Sequence, residues 1–165
     1  MLARRFPSLF AEKVSQEVDF AVNSGAFKYK NLRYSGSGEV ISAHLPALEL
    51  ISAQGVKLWG FTRDLRIAEG LRRIGATVII SCDKSSHPNL TKQSIELNFP
   101  LAYTSLGVND HPPPGTVVTF PLHRIGRVHE VVETPSLCPK VLQDFLHDSR
   151  PGGTCQLVCN RCHQQ

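Results

Sequence analysis

Apolar positions recur at helical spacing near the start of the chain. Phe10, Val14, Val18, Ala21 and Val22 share one side, with Glu12, Lys13, Gln16, Glu17 and Asp19 between them. Ser8 is a fitting N-cap and Gly25 a stop, so the pattern predicts an amphipathic helix over 8–23. Phe27 to Tyr34 alternates in part and predicts a short strand, closed by the turn Ser35-Gly36-Ser37-Gly38. Pro46 suits the first turn of a second helix, Gly55 its end, and Leu45, Leu48, Leu50 and Ile51 its apolar side.

Val56 to Phe61 then reads as a mostly buried strand. Thr62 and Asp64 can cap the helix that follows, whose stripe is Leu65, Ile67, Ala68, Leu71 and Ile74. Gly75 ends it, and Ala76 to Cys82 is a second buried strand. Strand, helix and strand over 56–82 make a βαβ unit, with parallel strands and a right-handed crossover.

Beyond Asp83 the pattern weakens. Ser85 to Asn89 reads as loop, and the alternation of Ile95, Leu97 and Phe99 predicts a strand. Three consecutive prolines stiffen the connection from Asn109 to Gly115. The β-branched runs Thr116–Phe120 and Val128–Val132 predict a hairpin turning near Gly126. Ser136 and Pro139 open a last helix, ended by Pro151-Gly152-Gly153. The class is α/β, with α+β as the alternative. One compact domain over 1–150 has a central βαβ unit, flanking helices and a β-rich C-terminal half. A Cys/His-rich tail follows over 151–165.

Composition narrows the function classes. Hydrophobic residues are 41% of 165, enough for a core, and 19% charged residues argue against global disorder. No apolar run approaches the ~20 residues of a membrane span. Five cysteines, an odd number, and the lack of a secretory leader point to an intracellular, cytoplasmic protein. Arg4 and Arg5, with no acid before Glu12, keep a mitochondrial address as the alternative.

Candidate chemistry falls in three places. Cys155, Cys159, Cys162 and His163 lie within nine residues, a thiolate density that suits structural zinc. His147 or Cys138 could complete the shell; the bland alternative is a tail of free thiols. Cys159-Asn160-Arg161-Cys162-His163 also has haem-attachment spacing, but Met1 is the only methionine that could serve as an axial ligand. Second, Thr62, Arg63 and Asp64 end one βαβ strand, and Cys82, Asp83, Lys84 and His87 end the other. Ligands of open α/β sheets bind at such ends, and Lys84 or His87 could supply the cation or base that holds Cys82 as a thiolate; the bland alternative is a small buried filler. Third, cations cluster. Lys28, Lys30 and Arg33 interleave with Tyr29 and Tyr34, as single-stranded RNA surfaces do. Arg63, Arg66 and Arg73 follow one helical side, and His123, Arg124, Arg127 and His129 add a third patch.

The net charge of +4 permits an acidic partner. No P-loop, dinucleotide fingerprint, H-E-x-x-H or G-x-S-x-G is present. The expectation is therefore a non-enzymatic binding or assembly protein within a complex, RNA-associated, carrying structural zinc. The alternative is a small transferase or hydrolase of an anionic substrate, with its crevice at Thr62–Asp64 and Cys82–His87.

Overall fold

The computed structural model describes residues 2–27, 30–35, 39–86, 88–107, 109–121 and 136. The predicted strand at Val128–Val132, the last helix beyond Ser136 and the cysteine tail lie outside the described residues. The helices are α1 (Leu2–Arg5), α2 (Pro7–Asn23), α3 (Leu45–Ala53), α4 (Leu65–Arg73) and α5 (Pro88–Glu96), with a 3₁₀ turn at Ser42–His44. The strands are β1 (Asn31–Arg33), β2 (Lys57–Thr62), β3 (Thr77–Asp83), β4 (Leu101–Ser105) and β5 (Thr116–Pro121). They form one parallel sheet in sequential order, β1-β2-β3-β4-β5, which makes the chain α/β. Among the described residues, no helix is long and apolar enough to cross a membrane. The chain divides into two compact units, Met1–Val78 and Ile79–Gln165, and the division falls inside β3.

In the first unit the predicted helices appear nearly at their expected bounds. Pro7 starts α2, and Ala11 and Ser15 are its buried positions. Ser15 meets the end of α3, where Gln54 Nε2 donates to its hydroxyl at 2.7 Å and its carbonyl at 3.2 Å. The helix α3 packs on α2 and also touches α4. Ser52 Oγ ties the two helices by donating to the Ile74 carbonyl at 2.8 Å. Gly55 and Gly75 end α3 and α4 at φ of +78° and +80°, where a side chain would be strained.

Sequential order has a consequence for the faces of this sheet. In the first unit the crossovers through α3 and α4 advance in the same direction, and the usual right hand then sets these two helices on one side. The contact between α3 and α4 agrees with that. Along β2, Leu58, Gly60 and Thr62 are buried, while Lys57 is exposed and Trp59 and Phe61 are half-buried. The period of two thus separates a helix-covered side from a more open one.

Gly60 is required by a close crossing. A Cβ built there would lie 2.7 Å from Tyr34 Cε2 and 2.9 Å from Ser35 Oγ. The Tyr34 ring lies against β2 at that point, and its hydroxyl reaches the Thr77 carbonyl at 3.4 Å. Gly60→Ala is expected to cost about 1–3 kcal/mol, since the Tyr34 ring and the Ser35 hydroxyl must both move. Urea denaturation should show a lower midpoint at unchanged slope; an unchanged midpoint would contradict the crossing.

In the second unit, β3 pairs with β4 through Ile80↔Leu101, Cys82↔Tyr103 and Asp83↔Thr104. The strand β4 pairs with β5 through Ala102↔Val118 and Tyr103↔Thr119. Two expectations fail here. Pro88 begins α5, so the last two residues of the predicted loop over Ser85–Asn89 are helix. The predicted strand at Ile95, Leu97 and Phe99 is the end of that helix and its exit. Asn98 takes φ +56°, and Phe99 N–H returns to the Ser94 carbonyl at 2.8 Å. A left-handed Asn followed by Pro100 stops a helix as glycine does. Ile95 and Leu97 are exposed and only Phe99 is buried, so their alternation carried no strand. The strand lies one step later, in β4.

Two phenols are held neutral. Burial, with the Glu39 carboxylate nearby, pushes Tyr34 well above its ordinary value. Burial and then the hydrogen bond to Asp110 do the same for Tyr103, whose hydroxyl donates at 2.6 Å. Both hydroxyls stay protonated in the folded chain where the unfolded chain has already ionised. The folded form thus binds more protons above pH ~10, and stability falls as pH rises. The expected slope is about 1.4 kcal/mol per pH unit for each tyrosine. An absorbance titration at alkaline pH should show both phenols ionising together with unfolding. Free ionisation of either before the chain unfolds would contradict this.

Candidate nucleic-acid interface

The open side of β1 and β2 gathers one cation and two rings. Arg33 pairs in register with Trp59, so parallel pleating puts their side chains on the same face. Phe61 follows two residues on, its ring 6.1 Å from that of Trp59 and nearly perpendicular to it, at 75°. The Arg33 guanidinium stands 5.5 Å from the Trp59 ring centre and 5.2 Å from that of Phe61. These are cation–π distances, and the guanidinium plane and both rings are surfaces on which a base can stack. Lys57, in register with Asn31, is exposed beside them. Lys30 is exposed at φ +48°, and its carbonyl accepts from Lys57 N–H at 2.8 Å.

The strand β1 is held by more than its three residues. Tyr34 N–H donates to the Trp59 carbonyl at 3.0 Å. The Ser35 hydroxyl donates to the Phe61 carbonyl at 3.0 Å and accepts from Phe61 N–H at 3.1 Å. Ser35 thereby adds one more rung with a side chain.

The chain matches no protein-family model, no curated protein and no solved structure.

The six cations singled out in the sequence do not form one surface. Lys30 and Arg33 lie with the rings, and Lys28 is outside the described residues. Arg66 and Arg73 are exposed on α4, whose buried side is Ile67, Ala68 and Leu71. They therefore project from the helical layer, and the open side of β2 faces the other way. Arg63 is exposed in the turn between β2 and α4. The sequence marks Val56 to Phe61 as a mostly buried strand, which leaves Trp59 and Phe61 out of the expected interface. The signal was present in Lys57 and Gly60, since a strand buried on both sides seldom carries an exposed lysine.

The residues of the predicted crevice belong to both units, and each set is described within its own. Asp64 caps α4, its Oδ1 accepting from Arg66 N–H at 2.9 Å and Ile67 N–H at 3.4 Å. Thr62 is fully buried; its hydroxyl accepts from Asp64 N–H and donates to Glu39 Oε2, both at 3.1 Å. The anion-attracting end of α4 is thus already filled by a carboxylate of the chain itself. In the second unit Cys82 has no exposed surface, and His87 is outside the described residues. Asp83 closes its own turn, accepting from Ser85 N–H at 2.9 Å, Ser85 Oγ at 2.6 Å and Ser86 Oγ at 3.1 Å. Among the described residues, no three His, Cys, Asp or Glu side chains gather as a metal site would need. Cys155, Cys159, Cys162 and His163 are outside them.

Proposed function

We propose that this is a non-enzymatic, intracellular binding protein of a larger assembly, and that it holds single-stranded RNA across β1 and β2. The observation that carries the reading is the Arg33 guanidinium set over Trp59 and Phe61 on the open side of the sheet. Single-stranded RNA is bound by such combinations, rings taking base faces and cations tracking phosphates. Lys30 and Lys57 supply further charge beside the rings. An acidic subunit of the same assembly would meet the exposed Arg66 and Arg73 of α4.

Trp59 is the only tryptophan, so its fluorescence reports directly on the interface. Titration with a short oligouridine is expected to quench it, with affinity falling as salt rises by a log–log slope of about 0.7 per phosphate. Unchanged emission, or equal binding of duplex RNA, would overturn the reading.

The second part of the proposal is structural zinc on Cys155, Cys159, Cys162 and His163. Its support is the thiol density within nine residues, where a divalent cation relieves thiolate repulsion. Protein purified without added metal is expected to carry about one equivalent of zinc, and Cys159→Ser to lose it. Wild-type protein with no metal and freely titrating thiols would remove this part.

A further inference from the structure

The core of the first unit takes the smaller side chains of α2 and leaves out the larger. Ala11 and Ser15 are its buried positions, while Phe6, Leu9 and Phe20 are 57%, 45% and 75% exposed. Phe10, Val14, Val18 and Ala21, expected from the sequence to enter the core, are half-buried and line an open groove of about 580 Å³. We propose that this side of α2 is a dimerisation surface. It pairs with the same helix of a second copy of this chain, antiparallel, about a two-fold axis at the level of residue 15.

The first support is spacing. Phe6, Phe10, Lys13, Glu17 and Phe20 follow one another at intervals of four, three, four and three residues. That alternation keeps to one side of a helix and is the seam along which two helices pack. Phe6 is the N-cap and the rest lie in one unbroken helix, so the seam is continuous. The Phe10 ring is settled against His44, at 5.5 Å between ring centres.

The second is charge. In an antiparallel pair centred at residue 15, positions equally far from it face each other. Phe10 and the partner's Phe20 are five residues to either side, and Lys13 and the partner's Glu17 are two to either side. The two-fold axis makes each of these contacts twice. Within one chain the two charges are not joined: Lys13 Nζ donates to Gln16 Oε1 at 3.3 Å, and among the described residues no ion pair links it to Glu17. Glu12 and Asp19, the other charged residues of α2, lie roughly a third of a turn or more off the seam. Arg4 and Arg5 lie beyond its N-terminal end, on α1. A bilayer or an acyl chain would leave Lys13 and Glu17 without partners against an apolar phase. A second copy pairs both.

The third is area. With Leu2, which lines the groove and is itself exposed, the three uncovered side chains of the seam and its flank leave on the order of 500 Å² of apolar surface outside. The half-buried groove and the stems of Lys13 and Glu17 extend this toward the ~800 Å² per partner of a standard interface. A short polar step within an apolar seam fixes register, as single polar positions do in paired helices. None of these features enters the RNA reading.

The test is the oligomeric state of the full chain, followed by sedimentation equilibrium from about 1 to about 100 µM. The parent is expected to be dimeric at the upper end of that range. Phe20→Glu should be monomeric throughout, with unchanged far-ultraviolet circular dichroism, since Phe20 is outside the core. Lys13→Glu and Glu17→Lys should each raise the dissociation constant about tenfold or more, because each sets like charges opposite one another twice. The chain carrying both changes has opposite charges facing again and should dimerise as the parent does. A rescue of that kind is not produced by a merely destabilised helix. A parent that stays monomeric would overturn the proposal, including one that binds anionic vesicles or a fatty acid as a monomer. So would a dimer that survives Phe20→Glu, or a double variant that associates no better than the single ones.

Discussion

An Ile79→Asp chain is expected not to fold. Ile79 has no exposed surface and lies in β3 between Val78 and Ile80, themselves 5% and 0% exposed. The substitution removes a packed side chain, at about 2–5 kcal/mol by analogy with other large-to-small core changes. It also encloses a carboxylate, which must either ionise without a partner or take up a proton, at several kcal/mol more. Native domains have only ~5–15 kcal/mol in hand, so the two costs together approach or exceed the whole. Circular dichroism should show the loss of ordered structure at 25 °C. Ile79→Val, which keeps the shape and gives up one methyl group, should cost only about 0.5–1.5 kcal/mol. An aspartate variant melting within about two degrees of the parent would mean that β3 is not in the core.

The largest functional effect is expected at Arg33. Arg33→Glu removes a cation from the two rings and puts an anion where phosphates would pass. Loss of one stacked or paired contact to single-stranded RNA is worth about 1–3 kcal/mol, and the reversed charge adds repulsion. Affinity for a labelled oligouridine should fall by at least an order of magnitude. Trp59→Ala should fall comparably, through lost stacking rather than lost charge. The two variants therefore separate by salt: the slope of affinity against salt should drop in Arg33→Glu and persist in Trp59→Ala. Arg33 is exposed, so its replacement leaves the core untouched. Full RNA binding by a folded Arg33→Glu chain would end the RNA proposal.

The legible parts of this fold were those with strong local signals. The stripe of α2, the capping of α4 by Asp64 and the glycines after α3 and α4 fixed their elements closely. So did the apolar runs of β2 and β3, which the structure brings into one parallel sheet as the βαβ pattern required. The errors lay where one residue type serves two backbones. Ile95, Leu97 and Phe99 alternate by accident, and the left-handed Asn98 that ends α5 carries a weaker signature than glycine would. The strand β4 was missed because Leu101-Ala102-Tyr103-Thr104-Ser105 has no clean period of two, being buried at four of its five positions. For the interface, the sequence marked Lys30 and Arg33 but not the rings beside them. Pairing of Arg33 with Trp59 spans 26 residues, and no local pattern reports register at that distance.

The rungs that Tyr34 and Ser35 add to β1 bear on the thermodynamics of recognition. An edge strand of three residues would ordinarily fray, and a ligand would have to order it. Here the backbone of Tyr34 is tied to Trp59, the hydroxyl of Ser35 to Phe61 and the ring of Tyr34 lies over Gly60. The backbone at Arg33 is thus kept in place before anything arrives, and on the proposed reading the ordering entropy of association would fall mainly on the RNA strand and the exposed side chains. Strands that are already stacked in solution, such as oligoadenosine, then give up less freedom than unstacked oligouridine. Base preference at this surface would therefore arise from the stiffness of the nucleic acid, with no hydrogen bond to a base edge.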